Sequence, residues 1–485
     1  MKKLKYFKIK TVAAAVLLFI NGCRLNSLYK SETEYTPSET HAVDMRHKDI
    51  KRIYDVKKSW ISGSKESIDI EMWNMWKYDS GIMGDLYEEL ENACRRGVRV
   101  RIALGIDNKD NEHVDEYFFD CPGIEVLNVD PAAHSKYMIV DGDKVTAGSA
   151  NWSWSSMEQN YEFNLNVENE TIAGAFTYLF ESLWEASGQS VESIAEYGKT
   201  DNLTPLAHGR YVPDEFKPVH EYQIDKISGA RDKIFISIYH YHPFFNQVKN
   251  NLQERLADAA RRGVKVKLLV DKASYSRTDK SLIDNLASLE NTYVKVIDMS
   301  PAPYVDGSGT NHTKIFLVDG QYGVISSMNW DRFTFDNSGR DSGLGFKDKN
   351  LYKIIEESFY LTWKSPYADW AETQQPLPET VVNPPVLEDI VVENITETTA
   401  VLRSELADTG GSDNAGVYFL WQEIPVRNRW EYHFPIFKFS EAGKFNHKIK
   451  NLNPDTRYGV VAQGINEAGY LRTGVKYFKT ESSGN

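Results

Sequence analysis

The sequence predicts an α/β protein made of two similar lobes, followed by a smaller all-β domain. Two observations predict the lobes: a β-α-β pattern occurs twice, and each copy leads into the same cluster of ionisable residues. A third predicts the β domain, because from about residue 384 the pattern changes to short alternating runs. With 485 residues, 41% of them hydrophobic, the chain can form two or three packed cores.

The internal repeat is the main organising feature of the chain. KESIDIEMW, from Lys65, matches RDKIFISIY, from Arg231, and both alternate as strands do. LYEELENACRRGVRVRIALG then matches LQERLADAARRGVKVKLLVD. Each predicts an amphipathic helix, a stop at Gly97 or Gly263, and a buried strand.

The first 23 residues have the pattern of a processing segment. A lysine-rich start precedes the apolar run TVAAAVLLFI, which is too short to span a bilayer. INGC then ends at Cys23 and resembles the lipobox of bacterial lipoproteins, whose cysteine is lipidated. The resemblance implies an exported protein anchored in the cell envelope, and an ordinary secretory signal is the alternative. Arg24 follows in place of Asp, which indicates the outer membrane or its periplasmic face in an organism that has one.

The other two cysteines leave a question open. Cys94 and Cys121 could pair in an oxidising compartment, or remain two small unpaired residues. No C-x-x-C or His/Cys cluster indicates a metal site, so we expect neither a metal nor a cofactor.

A cluster of polar residues recurs with the same internal spacing in both copies. The histidine and lysine lie two apart on a strand and therefore point to the same face. A glycine after each aspartate predicts a tight hairpin with Gly142-Asp143 or Gly320-Gln321 as its two-residue loop. The aspartates, Asp141 and Asp319, then lie at the turns, which predicts a structural role. The predicted cross-strand pairs are Lys136 with Ser149, His134 with Asn151, Lys314 with Ser327, and His312 with Asn329.

This combination of side chains favours phosphoryl chemistry. Lys, Ser and Asn supply hydrogen-bond donors around one imidazole, which suits a tetrahedral anion. Two such groups, facing each other, would supply one imidazole to attack phosphorus and another to protonate the leaving oxygen. An imidazole with an ordinary pKa near 6.5 can do either at neutral pH.

The two H-x-K-x4-D motifs, with G/S-S-x-N downstream, resemble the phospholipase D superfamily over residues 45 to 366. The resemblance implies a metal-independent phosphodiesterase with a phosphohistidine intermediate, in which His134 is the nucleophile and His312 the general acid and then base. It also implies that an acid in each lobe, Glu162 or Asp341, orients the opposite imidazole. The predicted phosphate-binding residues are Lys136, Lys314, Ser149, Ser327, Asn151 and Asn329.

The C-terminal region resembles a fibronectin type III domain, which is an immunoglobulin-like sandwich. The motif L-x-P-x-T-x-Y, from Leu452 to Tyr458, is similar to the tyrosine corner of that fold, and Trp421 is a candidate for its core. The predicted boundaries are a signal peptide over 1–23, a flexible tether over 24–45, lobe 1 over 46–200, an inter-lobe linker over 201–215, lobe 2 over 216–366, a linker over 367–385 and the β domain over 386–482.

The leading hypothesis for function is an envelope-anchored phospholipase D that releases phosphatidate and a free head group. A nuclease of the same superfamily is the first alternative, although a formal charge of −13 weakly disfavours a long nucleic-acid surface. A degenerate binding or scaffold protein is the second, and the two intact motifs argue against it. We expect the membrane and a phosphodiester substrate as partners, with the fibronectin-like domain docking to a further surface partner.

Overall fold

Two eight-stranded sheets hold the two copies of the repeat. The protein is analysed as a computed structural model. It describes residues 34–40, 50–76, 81–105, 111, 114–118, 121, 123–129, 133–191, 196–241, 252–277, 280–300, 309–331, 339–365, 367–371, 374, 385–411, 415–424, 431–432, 437–466 and 469–482. The predicted signal peptide and Cys23 lie outside these residues.

Lobe 1 has the strand order β2-β1-β8-β7-β6-β3-β4-β5. The parallel strands β3, β4 and β5 carry the β-α-β unit, and the antiparallel strands β6, β7 and β8 carry the motif hairpin. The strands are β1 Glu34–Thr40, β2 Lys51–Arg52, β3 Ser67–Met72, β4 Arg99–Gly105, β5 Ile124–Val129, β6 Lys136–Val140, β7 Lys144–Gly148 and β8 Glu162–Glu168. The helices are α1 Ile53–Gly63, α2 Gly81–Arg95, α3 Trp154–Glu158 and α4 Glu170–Ala186, with a 3₁₀ turn at Asp115–Phe118.

Lobe 2 repeats this arrangement with the order β16-β12-β11-β10-β13-β14-β15-β9. Its strands are β9 Leu203–His208, β10 Lys233–Ile238, β11 Lys265–Asp271, β12 Thr292–Ile297, β13 Lys314–Val318, β14 Tyr322–Ser326, β15 Asp341–Lys347 and β16 Ala368–Trp370. Its helices are α5 Val219–Gly229, α6 Leu252–Arg261, α7 Lys272–Arg277, α8 Lys280–Ala287 and α9 Lys349–Trp363.

Local sequence signals account for the element ends. Gly97 and Gly263 follow α2 and α6 with φ near +91° and +93°, a backbone conformation that glycine adopts without strain. Asn169 caps α4 by accepting from the backbone N–H of Ile172, and Asp348 caps α9 in the same manner. The equivalent elements of the two lobes thus begin and end on equivalent signals.

The lobes share one apolar core. Phe176 and Leu179 of α4 belong to the same buried cluster as Phe235 of β10 and Phe359 of α9. A cluster that crosses the boundary makes the two lobes one folding unit, because neither can bury its inner face alone.

Three strands at or near the sheet edges lie in segments predicted to be linkers, so those boundaries were wrong. Part of the predicted tether forms β1, which pairs with β8. Part of the predicted inter-lobe linker forms β9, which pairs with β15. Part of the linker after lobe 2 forms β16, which pairs with β12. EYTPSET and LTPLAH are polar or contain proline, so the pairing comes from the neighbouring strand and not from local pattern.

The predicted hairpin register was also wrong by one residue in both lobes. Val140 pairs with Lys144, which leaves a three-residue loop, and Lys136 consequently falls opposite Gly148 instead of Ser149. The shift arises because Asp141 itself turns the chain, with φ of 51°, before Gly142. The same shift in lobe 2 pairs Val318 with Tyr322.

The C-terminal region forms two antiparallel sheets whose shared core contains the buried side chains of Trp421 and Tyr458. The Tyr458 hydroxyl accepts from the backbone N–H of Asn453, 2.8 Å away, and donates to Glu423 Oε1. The arrangement is that of a β-sandwich. Its strands are β17 Val386–Leu387, β18 Val391–Glu393, β19 Ala400–Asp408, β20 Ala415–Ile424, β21 Glu431–Tyr432, β22 Phe437–Phe439, β23 Gly443–Ile449, β24 Arg457–Asn466, β25 Gly469–Arg472 and β26 Lys476–Lys479.

Of the two alternatives for Cys94 and Cys121, the structure shows the disulfide. Cys94, in the last turn of α2, is bonded to Cys121, which lies after the 3₁₀ turn. Within the described ranges, no helix combines the length and apolar character needed to cross a membrane.

Candidate active site

Each motif histidine is attached through its backbone to the other lobe. His134 stands two residues before β6, and its N–H donates to the carbonyl of Arg340 across 2.9 Å. His312 stands two residues before β13, and its N–H donates to the carbonyl of Tyr161 across 2.9 Å. Arg340 and Tyr161 immediately precede the two predicted acids. The two sheets therefore meet at the histidines.

The side chains of the acids cross the same boundary. Nδ1 of His134 lies 2.7 Å from Oδ1 of Asp341, and Nδ1 of His312 lies 2.9 Å from both carboxylate oxygens of Glu162. Each imidazole thus has its Nδ1 fixed by a carboxylate of the opposite lobe. A carboxylate at Nδ1 leaves Nε2 as the reactive nitrogen of a neutral ring.

The motif serines hold these carboxylates. Ser149 donates to Oε2 of Glu162 across 2.6 Å, and Ser327 donates to Oδ1 of Asp341 across 2.7 Å. A hydroxyl has one proton to donate, so the structure gives both serines a different partner from the phosphate that the predicted register assigned to them. The shift of one residue in the hairpins turns them towards the acids.

The two carboxylates differ in their remaining partners. Glu162 also accepts from Ser156 across 2.7 Å and from the amide of Asn160 across 3.2 Å. Asp341 instead has Nε2 of His208 at 3.7 Å from its second oxygen. Both acids are fully buried. Burial alone would raise the pKa of each carboxyl, but the imidazole and the hydrogen bonds hold the pKa of Glu162 and of Asp341 below its usual value.

The two motif lysines are buried beside the histidines. Nζ of Lys136 donates to the backbone carbonyl of His134, and Nζ of Lys314 donates to that of His312, each across 2.6 Å. Burial, together with the charge of Lys314, lowers the pKa of Lys136 to about 7. Burial lowers the pKa of Lys314 to about 8, although the acids act in the opposite direction. Two desolvated ammonium groups so placed favour an anion between them.

The imidazoles are kept in the neutral form by the same environment. Burial and the charge of Lys136 lower the pKa of His134. Burial lowers the pKa of His312 to about 4, against the opposing charge of Glu162. An anionic phosphoryl group between the lysines would raise the pKa of both rings. One ring can then attack as a free base while the other carries a proton.

The motif asparagines have side-chain oxygens that are available to a ligand. Oδ1 of Asn151 and Oδ1 of Asn329 are buried without a hydrogen-bond partner in the part of the chain that the structure describes. A buried amide without a partner is costly, and a bound ligand would remove that cost. Phosphate binding by these two residues stays a prediction that the geometry favours.

The motif aspartates anchor the hairpin turns. Asp141 accepts the backbone N–H groups of Lys65, Glu66 and Ser67, between 2.8 and 3.1 Å. Asp319 accepts three backbone N–H groups at the equivalent start of β10. These hydrogen bonds fix each hairpin to the start of the neighbouring strand, β3 or β10, which is the structural role that their place in the turn predicts.

Several site residues were missed in the sequence. The Trp73 ring meets the His134 ring edge-on with centroids 5.5 Å apart, and the Tyr239 ring lies 4.8 Å from that of His312. Both follow the equivalent strands IDIEM and IFISI, so the repeat itself could have identified them. His208 could not be found in this way, because it lies on a strand that the sequence pattern does not reveal.

A buried ion pair next to the site was missed as well. Nε of Arg340 lies 3.0 Å from Oε1 of Glu71, and the same carboxylate accepts from the Tyr137 hydroxyl across 2.5 Å. The other guanidinium nitrogens donate to the backbone carbonyls of Arg210 and Leu179. Arg340 belongs to lobe 2 and Glu71 to lobe 1. This ion pair therefore joins the two lobes at the residue that precedes Asp341.

Fold and site together define a two-histidine phosphodiesterase built from a duplicated lobe. The family described as "Cardiolipin synthase, PLD-like domain" matches residues 58–184 and 223–363, which is more than half of the chain. The chain belongs to this phospholipase D-like family.

The relatives of the chain carry the names of different activities. Phospholipase D Z of Dictyostelium discoideum is 24% identical over 369 residues, which cover 65% of this chain and 85% of the relative. The 5'-3' exonuclease PLD3 of Macaca fascicularis is 25% identical over 368 residues, covering 64% and 74% respectively. The virion nicking-joining enzyme of vaccinia virus (strain Western Reserve) is 25% identical over 321 residues, covering 56% and 73%.

One solved structure supports the fold. Phosphatidylserine synthase of Haemophilus influenzae Rd KW20 aligns with a TM-score of 0.51 and 14% identity, over 70% of this chain and 89% of that one. The bilobal architecture is therefore shared with it.

Proposed function

We propose that this protein is an envelope-anchored phospholipase D, which hydrolyses a phospholipid to phosphatidate and a free head group. The observation that carries the chemistry is the pair of imidazoles, each fixed at Nδ1 by a carboxylate from the opposite lobe. Paired histidines held in this way, with a buried lysine beside each, suit a displacement at a phosphodiester.

The reaction takes place in two displacements. Nε2 of His134 forms a bond to phosphorus, the bond to the head-group oxygen breaks, and His312 gives that oxygen its proton. His312 then takes a proton from water, whose oxygen bonds to phosphorus as the bond to His134 breaks. Lys136 and Lys314 compensate the charge of the phosphoryl oxygens in both steps.

Two exposed tryptophans support a lipid substrate. Trp76, after β3, is 42% exposed, and Trp154, at the start of α3, is 37% exposed. Both come from segments next to site residues: Trp76 follows Trp73 by three residues, and Trp154 follows Asn151 by three. The backbone of Trp76 also donates to the carbonyl of Trp152, which brings the two segments together. Large aromatic side chains at a surface suit the interface of a lipid layer.

The envelope location fits two features. The INGC motif at Cys23 suggests lipidation, and an anchored enzyme meets phospholipid at high local concentration. The disulfide between Cys94 and Cys121 fits an oxidising compartment outside the cytosol. For the C-terminal sandwich we propose a fibronectin type III domain that docks the enzyme to a surface partner, since Tyr458 makes the hydrogen bond of a tyrosine corner.

A nuclease is the second candidate. It is supported by the names of two relatives, an exonuclease and a nicking-joining enzyme, and its chemistry at phosphorus would be the same.

The deciding experiment compares substrates on one preparation. Protein without residues 1–23 is incubated, in the presence of EDTA, with vesicles of phosphatidylcholine or phosphatidylglycerol and with single-stranded DNA. We expect head-group release that His134→Ala abolishes. DNA cleavage without head-group release would establish the nuclease, and no turnover of any substrate would favour a scaffold.

The tryptophans give this assay a second readout. Replacing Trp76 and Trp154 by Ala should lower turnover of vesicles but not of a soluble short-chain phosphatidylcholine, because only the vesicle presents an interface. Equal losses on both substrates would contradict a role in surface binding.

A further inference from the structure

We propose that His208 is a positioning residue for His134, acting through the carboxylate of Asp341. This inference rests on the proposed reaction at His134, but not on the identity of the lipid. It assigns a function to a buried imidazole that neither motif contains.

The strand register places His208 directly against Asp341. The two residues are partners in the ladder between β9 and β15, so their side chains lie on the same face. Nε2 of His208 lies 3.7 Å from Oδ2 of Asp341, whereas Oδ1 is taken by His134 and Ser327. The carboxylate therefore has one oxygen facing each imidazole.

The surroundings of His208 leave few ionisable neighbours. It is only 4% exposed, and on the side of α5 the ring of His220 meets it edge-on at 5.3 Å. Burial, with the charge of His208, lowers the pKa of His220 to about 3, so His220 is a neutral ring at physiological pH. Among the residues that the structure describes, the titratable groups seen against His208 include Asp341 from β15 and His220 from α5.

Lobe 1 has no imidazole in the equivalent position. There the ladder between β1 and β8 pairs Glu162 with Thr40. Besides Nδ1 of His312, the oxygens of Glu162 are contacted by two serine hydroxyls and the amide of Asn160, all neutral donors. A second imidazole beside the carboxylate is accordingly a feature of the acid that serves His134.

The ring of His208 should weaken proton binding by His134. At 3.7 Å, Nε2 of His208 is too far from Oδ2 for a direct hydrogen bond, so its influence is electrostatic: an imidazole N–H that faces Oδ2 stabilises the carboxylate of Asp341. Without it, Asp341 is a stronger base and holds a protonated His134 more firmly. The ring would then be protonated over a wider pH range, and less of it would be available as a nucleophile.

The test compares His208→Leu with His208→Gln, using bis(4-nitrophenyl) phosphate as a soluble diester. For the Leu variant we expect kcat to fall about 10-fold with little change in KM, and the acidic limb of the pH profile to move to higher pH. The Gln variant keeps a donor and should recover most of kcat. Thr40→Val is the matched control in lobe 1, and it should leave the acidic limb in place.

A second measurement does not depend on turnover. NMR titration of the imidazole of His134 should show it binding a proton at higher pH in His208→Leu than in the wild type. An unchanged titration, or equal behaviour of the Leu and Gln variants, would overturn the proposal. Because neither readout uses a lipid, failure of the proposed phospholipase activity on vesicles would leave both results interpretable.

Discussion

Lobe 1 and lobe 2 bring the same histidine and lysine to the site but pack them with different residues. In lobe 1, Gly148 lies opposite Asn164, and a Cβ on that glycine would come within 2.4 Å of the Asn164 amide oxygen. In lobe 2 the order is reversed: Ser326 lies opposite Gly343, where a Cβ would come within 2.5 Å of that of Ser326. In each lobe the two paired positions have room for only one side chain. Lobe 1 has this side chain on β8, at Asn164, and lobe 2 has it on β14, at Ser326.

The two lobes also use different residues at equivalent positions of the lobe boundary. Before Asp341, Arg340 extends into lobe 1 and pairs with Glu71. Before Glu162, Tyr161 extends into lobe 2 and its hydroxyl lies 3.2 Å from that of Ser358. The duplication therefore preserves the backbone contacts and the six ionisable motif residues, whereas the supporting residues have diverged.

The largest expected effect separates the roles of the two histidines. His134→Ala and His312→Ala should each lower phosphatidylcholine hydrolysis by about 10²- to 10⁴-fold. On bis(4-nitrophenyl) phosphate the leaving group needs little protonation, so His312→Ala should still release one equivalent of nitrophenolate in a burst and retain a phosphoenzyme on His134. His134→Ala should show no burst. A burst in His134→Ala, with none in His312→Ala, would reverse the assignment.

The next effect tests the buried ion pair against its neutral counterpart. Arg340→Met leaves the buried Glu71 carboxylate without its cation and should cost about 3 to 5 kcal/mol in the free energy of unfolding. Tyr161→Phe, at the equivalent position, removes hydrogen bonds to the neutral hydroxyls of Ser358 and Thr362 and should cost about 1 to 2 kcal/mol. Urea denaturation measures both. Adding Glu71→Met to Arg340→Met should restore part of the loss, and equal costs for the two single variants would contradict the difference between the lobes.

A smaller effect tests the exchange of small residues. Gly148→Ser introduces a side chain against the backbone carbonyl of Phe163 and should destabilise the fold by about 1 to 3 kcal/mol. The double variant with Asn164→Gly reproduces the lobe 2 arrangement and should recover part of that loss. Thermal unfolding measures the stability of both variants. If the double variant is no more stable than Gly148→Ser, the space around this pair of residues also differs between the lobes.

The smallest effect concerns the two lysines. The pKa of about 7 for Lys136 and about 8 for Lys314 means that both are charged below pH 7 and must take up protons to bind an anion above pH 8. Inhibition by inorganic phosphate should therefore weaken above pH 7, by up to about 10-fold per pH unit for each proton taken up. In Lys136→Arg the guanidinium stays charged, so the weakening should begin about one pH unit later. An unchanged pH dependence in that variant would show that Lys136 does not control it.

The sequence was sufficient for the lobes and for the ionisable residues of the site. The repeat predicts the sheets because its strands and helices are strongly periodic, and the fixed spacing of His134, Lys136 and their copies predicts that they act together. Glu162 and Asp341 came from the family resemblance, and the distances to the opposite imidazoles agree with it.

The remainder depends on contacts that local pattern does not encode. β1, β9 and β16 are short or polar and acquire their pairing from a neighbouring strand, so they looked like linkers. The one-residue shift of the hairpins depends on Asp141 adopting a positive φ, which is stabilised by backbone groups distant in sequence. Because of that shift, Ser149 and Ser327 donate to the carboxylates of Glu162 and Asp341, whereas the predicted register had assigned them to the phosphate. His208 was missed because it lies on β9, a strand that the sequence pattern does not reveal.

The crossing of the acids has a consequence for ancestry. Since Asp341 serves His134 and Glu162 serves His312, an ancestor with a single lobe could have formed such a site only between two copies of itself. Joining two such copies in one chain would turn a contact between subunits into an internal one. From then on the two halves could diverge, but a change in either acid still acts on the histidine of the other half.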